Sequence, residues 1–112
     1  QGIVHGGVIA ALLDTAATLA FLTAAAPGED VTTIEFKVNF LSPVVPRAPG
    51  DPGGEAGIGG EAVVRAEATE IHHGRRTRTA EARLLSPRRS SDARGSERTA
   101  ATGLFTALVL EK

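Results

Sequence analysis

The sequence predicts an α+β fold, a curled antiparallel β-sheet wrapped around one long central helix. Three observations lead there. One apolar run near the start of the chain is long enough for about five helical turns. Everything after it reads as four strands separated by turns and polar loops. Four antiparallel strands have one apolar face to cover, and that helix is the only element available to cover it.

The helix is expected over Val8–Ala26, VIAALLDTAATLAFLTAAA, whose apolar residues occupy nearly the whole circumference, as in a helix buried in a protein core. Gly6-Gly7 opens it and Pro27-Gly28 supplies the stop signal. A membrane span is the weaker reading. Asp14 lies near its middle, where a charge costs ~3 kcal/mol on insertion scales, and no basic flank adjoins it.

From Thr32 to Phe40 the alternation is clean, with Ile34, Phe36, Val38 and Phe40 on one face and Thr33, Glu35, Lys37 and Asn39 on the other. Ser42-Pro43 ends that strand. The Pro- and Gly-rich stretch from Pro43 to Gly60 reads as a loop, long for a hairpin connection. A second strand is expected over Glu61–His72. The compact turn His73-Gly74-Arg75-Arg76 then leads into an antiparallel third strand, Thr77–Leu85. Pro87–Arg98 is polar and charged, hence a solvated loop. Thr102–Glu111 is the last strand, apolar on both faces and therefore central or covered.

Composition narrows the function. The 112 residues suit one domain. Four phenylalanines are the only aromatics and the net charge is −1, which argues against nucleic acid as a partner. With no cysteine there is no disulfide scaffold, thiolate metal site or thiol nucleophile, and a cytoplasmic location fits. The chain opens at Gln1-Gly2-Ile3-Val4 with neither methionine nor a signal-peptide pattern, so it is expected to begin inside a longer parent.

Few residues remain that could do chemistry. Asp14 is the one charge in the apolar run. Desolvation would penalise it, so it is either an ordinary acid on a wet stripe, bonded to Thr18 at i+4, or a group held for catalysis. Gly6 and Gly7 would place bare N–H groups at the positive end of the helix, where an oxyanion is stabilised. His5 reads as a capping or packing residue before it reads as a base. Arg75 and Arg76, with Arg78 beyond, put dense charge on a tight turn that suits phosphate oxygens or is simply a solvated tip. His72 and His73 are adjacent in a strand and point to opposite faces, so they cannot chelate one metal; no metal site is expected. No GxSxG elbow is present.

Taken in order, His5-Gly6-Gly7, Asp14 eight residues after the first Gly, TIEFKVNFLSPV (Thr33–Val44) and HHGRRT (His72–Thr77) form a pattern over Gly2–Leu85. It resembles the hotdog-fold acyl-CoA thioesterases, nearest the phenylacetic-acid-degradation (PaaI-like) and 4-hydroxybenzoyl-CoA thioesterase group. The resemblance implies homodimers joined edge to edge, often paired into homotetramers, with active sites at the dimer interface. It makes Gly6 the glycine whose N–H polarises the thioester carbonyl and Asp14 the catalytic carboxylate. Thr18 and Thr33 fall where relatives place hydroxyls near the reacting water or carboxylate. His5 and Gly7 fall in the loop that receives the substrate, and Gly74, Arg75 and Arg76 in the turn that meets coenzyme A phosphates. No cofactor is implied, coenzyme A being part of the substrate.

The expected activity is hydrolysis of an acyl-CoA to free acid and coenzyme A. The alternatives are a non-catalytic hotdog protein that binds acyl-CoA or acts as an assembly subunit, and a dehydratase. The dehydratase would need a His/acid pair that the helix does not show. The chain departs from the family pattern twice. The Asn or Gln expected six residues before His5, and the family's first strand, would both lie upstream of Gln1. The insert Val44–Gly60 is also longer than usual. Loss of the first strand would leave Glu61–His72 as an unpaired edge.

Overall fold

In the computed structural model, residues 3–45, 64–87 and 97–111 are described. Helix α1 (Gly6–Thr23) is followed by strands β1 (Glu29–Phe40), β2 (Arg65–His73), β3 (Thr77–Pro87) and β4 (Glu97–Glu111). They form one antiparallel sheet in the order β1-β4-β3-β2, with α1 packed on one face of it. The α+β expectation stands.

The helix begins two residues earlier than expected and ends three earlier. Ala24 and Ala25 donate to the carbonyls of Phe21 and Leu22, tightening the last turn into three-residue loops. Ala26–Glu29 then forms a turn closed by Glu29 N–H to Ala26 O at 3.0 Å, with Gly28 at φ +84°. Pro followed by a left-handed Gly is the signature of a type II turn. It delivers the chain into β1 three residues before the expected start.

β4 is the larger correction. It starts at Glu97, and β3 runs on to Pro87, so both ends of the expected Pro87–Arg98 loop are paired strand. Its polar opening, Glu97-Arg98-Thr99, hides the strand from a reading based on apolar pattern. The expected central position of β4 is observed. Residues 61–63 of the expected second strand, most of the Val44–Gly60 insert and residues 88–96 lie outside the described residues. β2 is one edge of the sheet and β1 the other.

The core lies between helix and sheet. Ile9, Leu13, Ala17 and Phe21, one residue per turn, are the buried stripe of α1. They meet Ala80, Ala82 and Leu84 of β3 and Ala101, Phe105 and Ala107 of β4. Alanines at most sheet positions let the helix approach closely, and Phe21, Phe105, Leu13 and Leu84 fill the remaining volume. Gly103 is required here: a Cβ on it would stand 2.5 Å from the Phe105 ring. The helix is not buried all round. Val8, Leu12, Leu19 and Leu22 are exposed on its other side, so the apolar circumference is only half used within one chain.

β1 departs from strict alternation. Thr33 stands opposite Ala107 and Glu35 opposite Thr106, so Ile34 is an extra residue, a β-bulge. The bulge turns Thr33 to the same face as Phe36 and Val38, toward the helix, where simple alternation places it on the far side.

Candidate functional site

The start of α1 is built by His5. Its backbone is extended, and its Nδ1 accepts the Gly7 N–H at 2.8 Å. The Val8 and Ile9 N–H groups both donate to the His5 carbonyl. Ile9 thereby makes the first regular helical bond, and of the four orphan donors, those of His5, Gly6, Gly7 and Val8, two are occupied. The His5 and Gly6 N–H groups have no partner among the described residues, and of these Gly6 is the one inside the helix. The expected pair of bare donors is thus a single one, and Gly7 serves the cap. His5 is the helix cap that the residues suggested, its Nδ1 spent on that bond.

Over Gly6 lies the ring of Phe40, from the end of β1. A Cβ added to Gly6 would meet ring carbons at 3.1 and 3.2 Å. Sequence reasoning assigned Phe40 to the core face of a strand and no more. Its proximity to Gly6 comes from chain returning after 33 residues, which no local pattern signals.

Asp14 is half-buried, and Thr33 Oγ1 donates to its Oδ1 at 2.7 Å. Among the described residues its Oδ2 accepts no hydrogen bond. Thr18 is half-buried one turn on but makes no bond to Asp14, so the expected i+4 pair is replaced by a bond to β1. The Ile34 bulge makes that bond possible.

The turn after β2 lies beyond the other end of the helix. Gly74 N–H donates to Thr77 O at 2.9 Å, and a Cβ at Gly74 would stand 2.8 Å from that same oxygen. Arg75 and Arg76 are exposed, and neither guanidinium has a partner among the described residues. Arg78 is different. It is 2% exposed, its Nε donates to Gly74 O at 2.9 Å and its Nη2 faces the Glu29 carboxylate at 3.3 Å. It locks the hairpin to the start of β1 and is unavailable to a ligand. Glu29 accepts the Ala26 N–H and faces Arg78, which hold its carboxyl below its ordinary range.

Within one chain these groups do not converge. Gly6 and Asp14 are eight residues apart on one helix, about 12 Å along its axis. The arginine turn adjoins the far end of α1. Two depressions are lined by described residues. One of about 300 Å³ adjoins Gly6, lined by Ile3, Ile9, Phe40, Leu41 and Val44 among others. The larger, about 580 Å³, lies on the face opposite the helix among Lys37, Glu67, Glu81 and Arg83, away from Asp14 and Gly6. There Arg83 donates to Glu67 at 2.9 Å, and the bond lowers that carboxyl. Among the described residues no three His, Asp or Glu side chains are placed to hold a metal.

A single helix against a four-stranded antiparallel sheet in this order is the hotdog fold, and comparison with solved structures agrees. A thioesterase of Haemophilus influenzae superposes with a TM-score of 0.74 at 23% identity, over 98% of this chain and 61% of that one. A thioesterase family protein of Silicibacter pomeroyi gives 0.70 at 29%, over 98% and 66%. A Bacillus halodurans protein solved with CoA gives 0.71 at 24%, over 96% and 60%. In sequence, the thioesterase superfamily model matches residues 1–48, which carry His5-Gly6-Gly7, Asp14 and Thr33. The resemblance to the hotdog-fold thioesterases therefore holds in both sequence and fold. The chain spans about three fifths of the length of the Haemophilus and Bacillus proteins. No curated protein matches it in sequence.

Proposed function

We propose that this chain is a subunit of an acyl-CoA thioesterase, with Asp14 as general base or nucleophile and the Gly6 N–H as oxyanion donor. The observation that carries the reading is the pairing of a carboxylate held by Thr33 with one unpartnered N–H at the N-terminus of the same helix. Attack on a thioester needs both within about 3 Å of the reacting carbonyl. About 12 Å of helix separates them, so Gly6 of one copy must act with Asp14 of another. The exposed apolar side of α1 supports such pairing, as a homodimer or a tetramer of two dimers.

As base, Asp14 takes a proton from water while the water oxygen bonds to the thioester carbon. The negative oxygen rests on the Gly6 N–H, the C–S bond breaks, and the proton passes to the departing thiolate. As nucleophile, an Asp14 oxygen bonds to the thioester carbon, and the C–S bond breaks to release the coenzyme A thiolate, which takes a proton from water. A water molecule then opens the anhydride to free acid and the Asp14 carboxylate. Heavy oxygen from water entering the Asp14 carboxyl in a single turnover separates the two routes. Arg75 and Arg76 would receive coenzyme A phosphates, a role that the relative solved with CoA makes reasonable for this fold.

The test is hydrolysis of an acyl-CoA panel by the wild type and two variants. Asp14→Asn should lose 10²–10⁴-fold in kcat. Gly6→Pro removes the candidate donor at a first helical position whose backbone suits proline, the Phe40 ring having to give by a few tenths of an ångström, and should also be inactive. Mixed and reassociated in equal amounts, the two should recover about a quarter of wild-type activity, since half the dimers hold one intact site of two. Failure of the mixture to recover activity would refute the shared site. Tight CoA binding without turnover would favour the non-catalytic alternative.

A further inference from the structure

The depression beside Gly6 is chemically one-sided. Among the described residues its walls are Ile3, Val4, Ile9, Phe40, Leu41, Pro43 and Val44, with the Ser42 hydroxyl the only polar side chain and no charge. Part of its backbone is also spent. The Val4 N–H donates to Val44 O at 2.8 Å, and the Leu41 and Ser42 N–H groups both donate to Ala100 O. Pro43 has no N–H, and its carbonyl accepts from Arg98 at 2.8 Å. The side chains that face the space are thus apolar but for Ser42, and backbone polar groups, the Gly6 N–H among them, make up the rest of its surface.

From this, and resting on the thioesterase reading above, we infer that the depression is the acyl subsite and takes an uncharged, apolar acyl group of about six to ten carbons. A thioester whose carbonyl sits on the Gly6 N–H has two arms. The pantetheine arm carries two amides, each needing partners that these side chains, Ser42 apart, do not offer, and ends in phosphates that need cations. The acyl arm needs only apolar surface. A volume of about 300 Å³ is at the small end of ligand pockets and holds roughly ten atoms at ~30 Å³ each. A carboxylate on the acyl group would be desolvated with no cationic side chain among the described pocket walls.

The experiment compares kcat/KM for acetyl-, butyryl-, hexanoyl-, octanoyl-, palmitoyl- and succinyl-CoA. In parallel, calorimetry measures binding of the same compounds to Asp14→Asn. From acetyl to hexanoyl, kcat/KM should rise about fourfold per methylene, the transfer free energy of a buried CH₂. It should level off between octanoyl and palmitoyl, and succinyl should fall at least a hundredfold below butyryl. Phe40→Ala should lower the hexanoyl-to-acetyl ratio at least tenfold, and Phe40→Leu should restore most of it. Turnover that is flat with chain length, or succinyl matching butyryl, overturns the subsite. No turnover, with affinity still rising along the series, overturns the thioesterase reading and leaves the subsite standing.

Discussion

Asp14 owes its orientation to one donor, and that donor sits at a bulge. A threonine hydroxyl on a carboxylate fixes which oxygen faces outward without neutralising it. Thr33→Val should lower kcat about tenfold and leave KM within a factor of about two, with a stability cost of about 1 kcal/mol by urea unfolding. A loss confined to stability would make the bond structural. His5→Ala removes a cap from the helix that carries both candidate groups and should cost about 1 kcal/mol. His5→Asn offers a side-chain acceptor again and should recover most of it, as read from thermal or urea melts.

At the scale of elements, the Ile34 bulge and the Glu29 anchor make separate predictions. Deleting Ile34 leaves Thr33, Glu35 and Phe36 alternating with every side chain on its present face, so the sheet should survive. Deleting Val38 turns part of β1 over and should unfold the protein. Circular dichroism with urea titration distinguishes the two. Glu29 and Glu67 both have carboxyls held below their ordinary value of 4.5, by the Ala26 N–H with Arg78 and by Arg83 respectively. A depressed carboxylate stabilises the fold above that value and ceases to as pH falls through the lowered one. The urea midpoint should therefore drop below about pH 4.5, less steeply in Glu29→Gln.

The same elements show what the sequence made legible. Helix, strands and the central place of β4 follow from period and turn residues, which are local. The ends of α1 do not, because Ala24–Ala26 continue the apolar run and only the Pro27-Gly28 turn cuts it short. The bulge is invisible because Ile34 fits the alternation that it breaks. Asp14 and Gly6 stood out as a lone charge and a glycine pair. The Thr33 bond, the Phe40 ring over Gly6 and the use of Gly7 in the cap depend on chain packing or on which donor the His5 ring selects.

For the whole molecule, one chain leaves Val8, Leu12, Leu19 and Leu22 of α1 exposed, and Phe36 and Phe40 of the β1 edge with them. An apolar surface of this kind is an interaction site by default. Sedimentation should show a dimer or larger species, and Leu19→Lys, on an exposed side chain, should shift it toward monomer. Arg75→Ala with Arg76→Ala should weaken CoA binding more at low salt than at high, since exposed charges are screened. An unchanged affinity would leave the turn a solvated tip. The half-used helix also has a thermodynamic consequence. If its second face is covered only by another copy, part of the free energy of folding is set by mass action. The melting temperature should then climb with protein concentration, and dilution alone should erode both fold and site together.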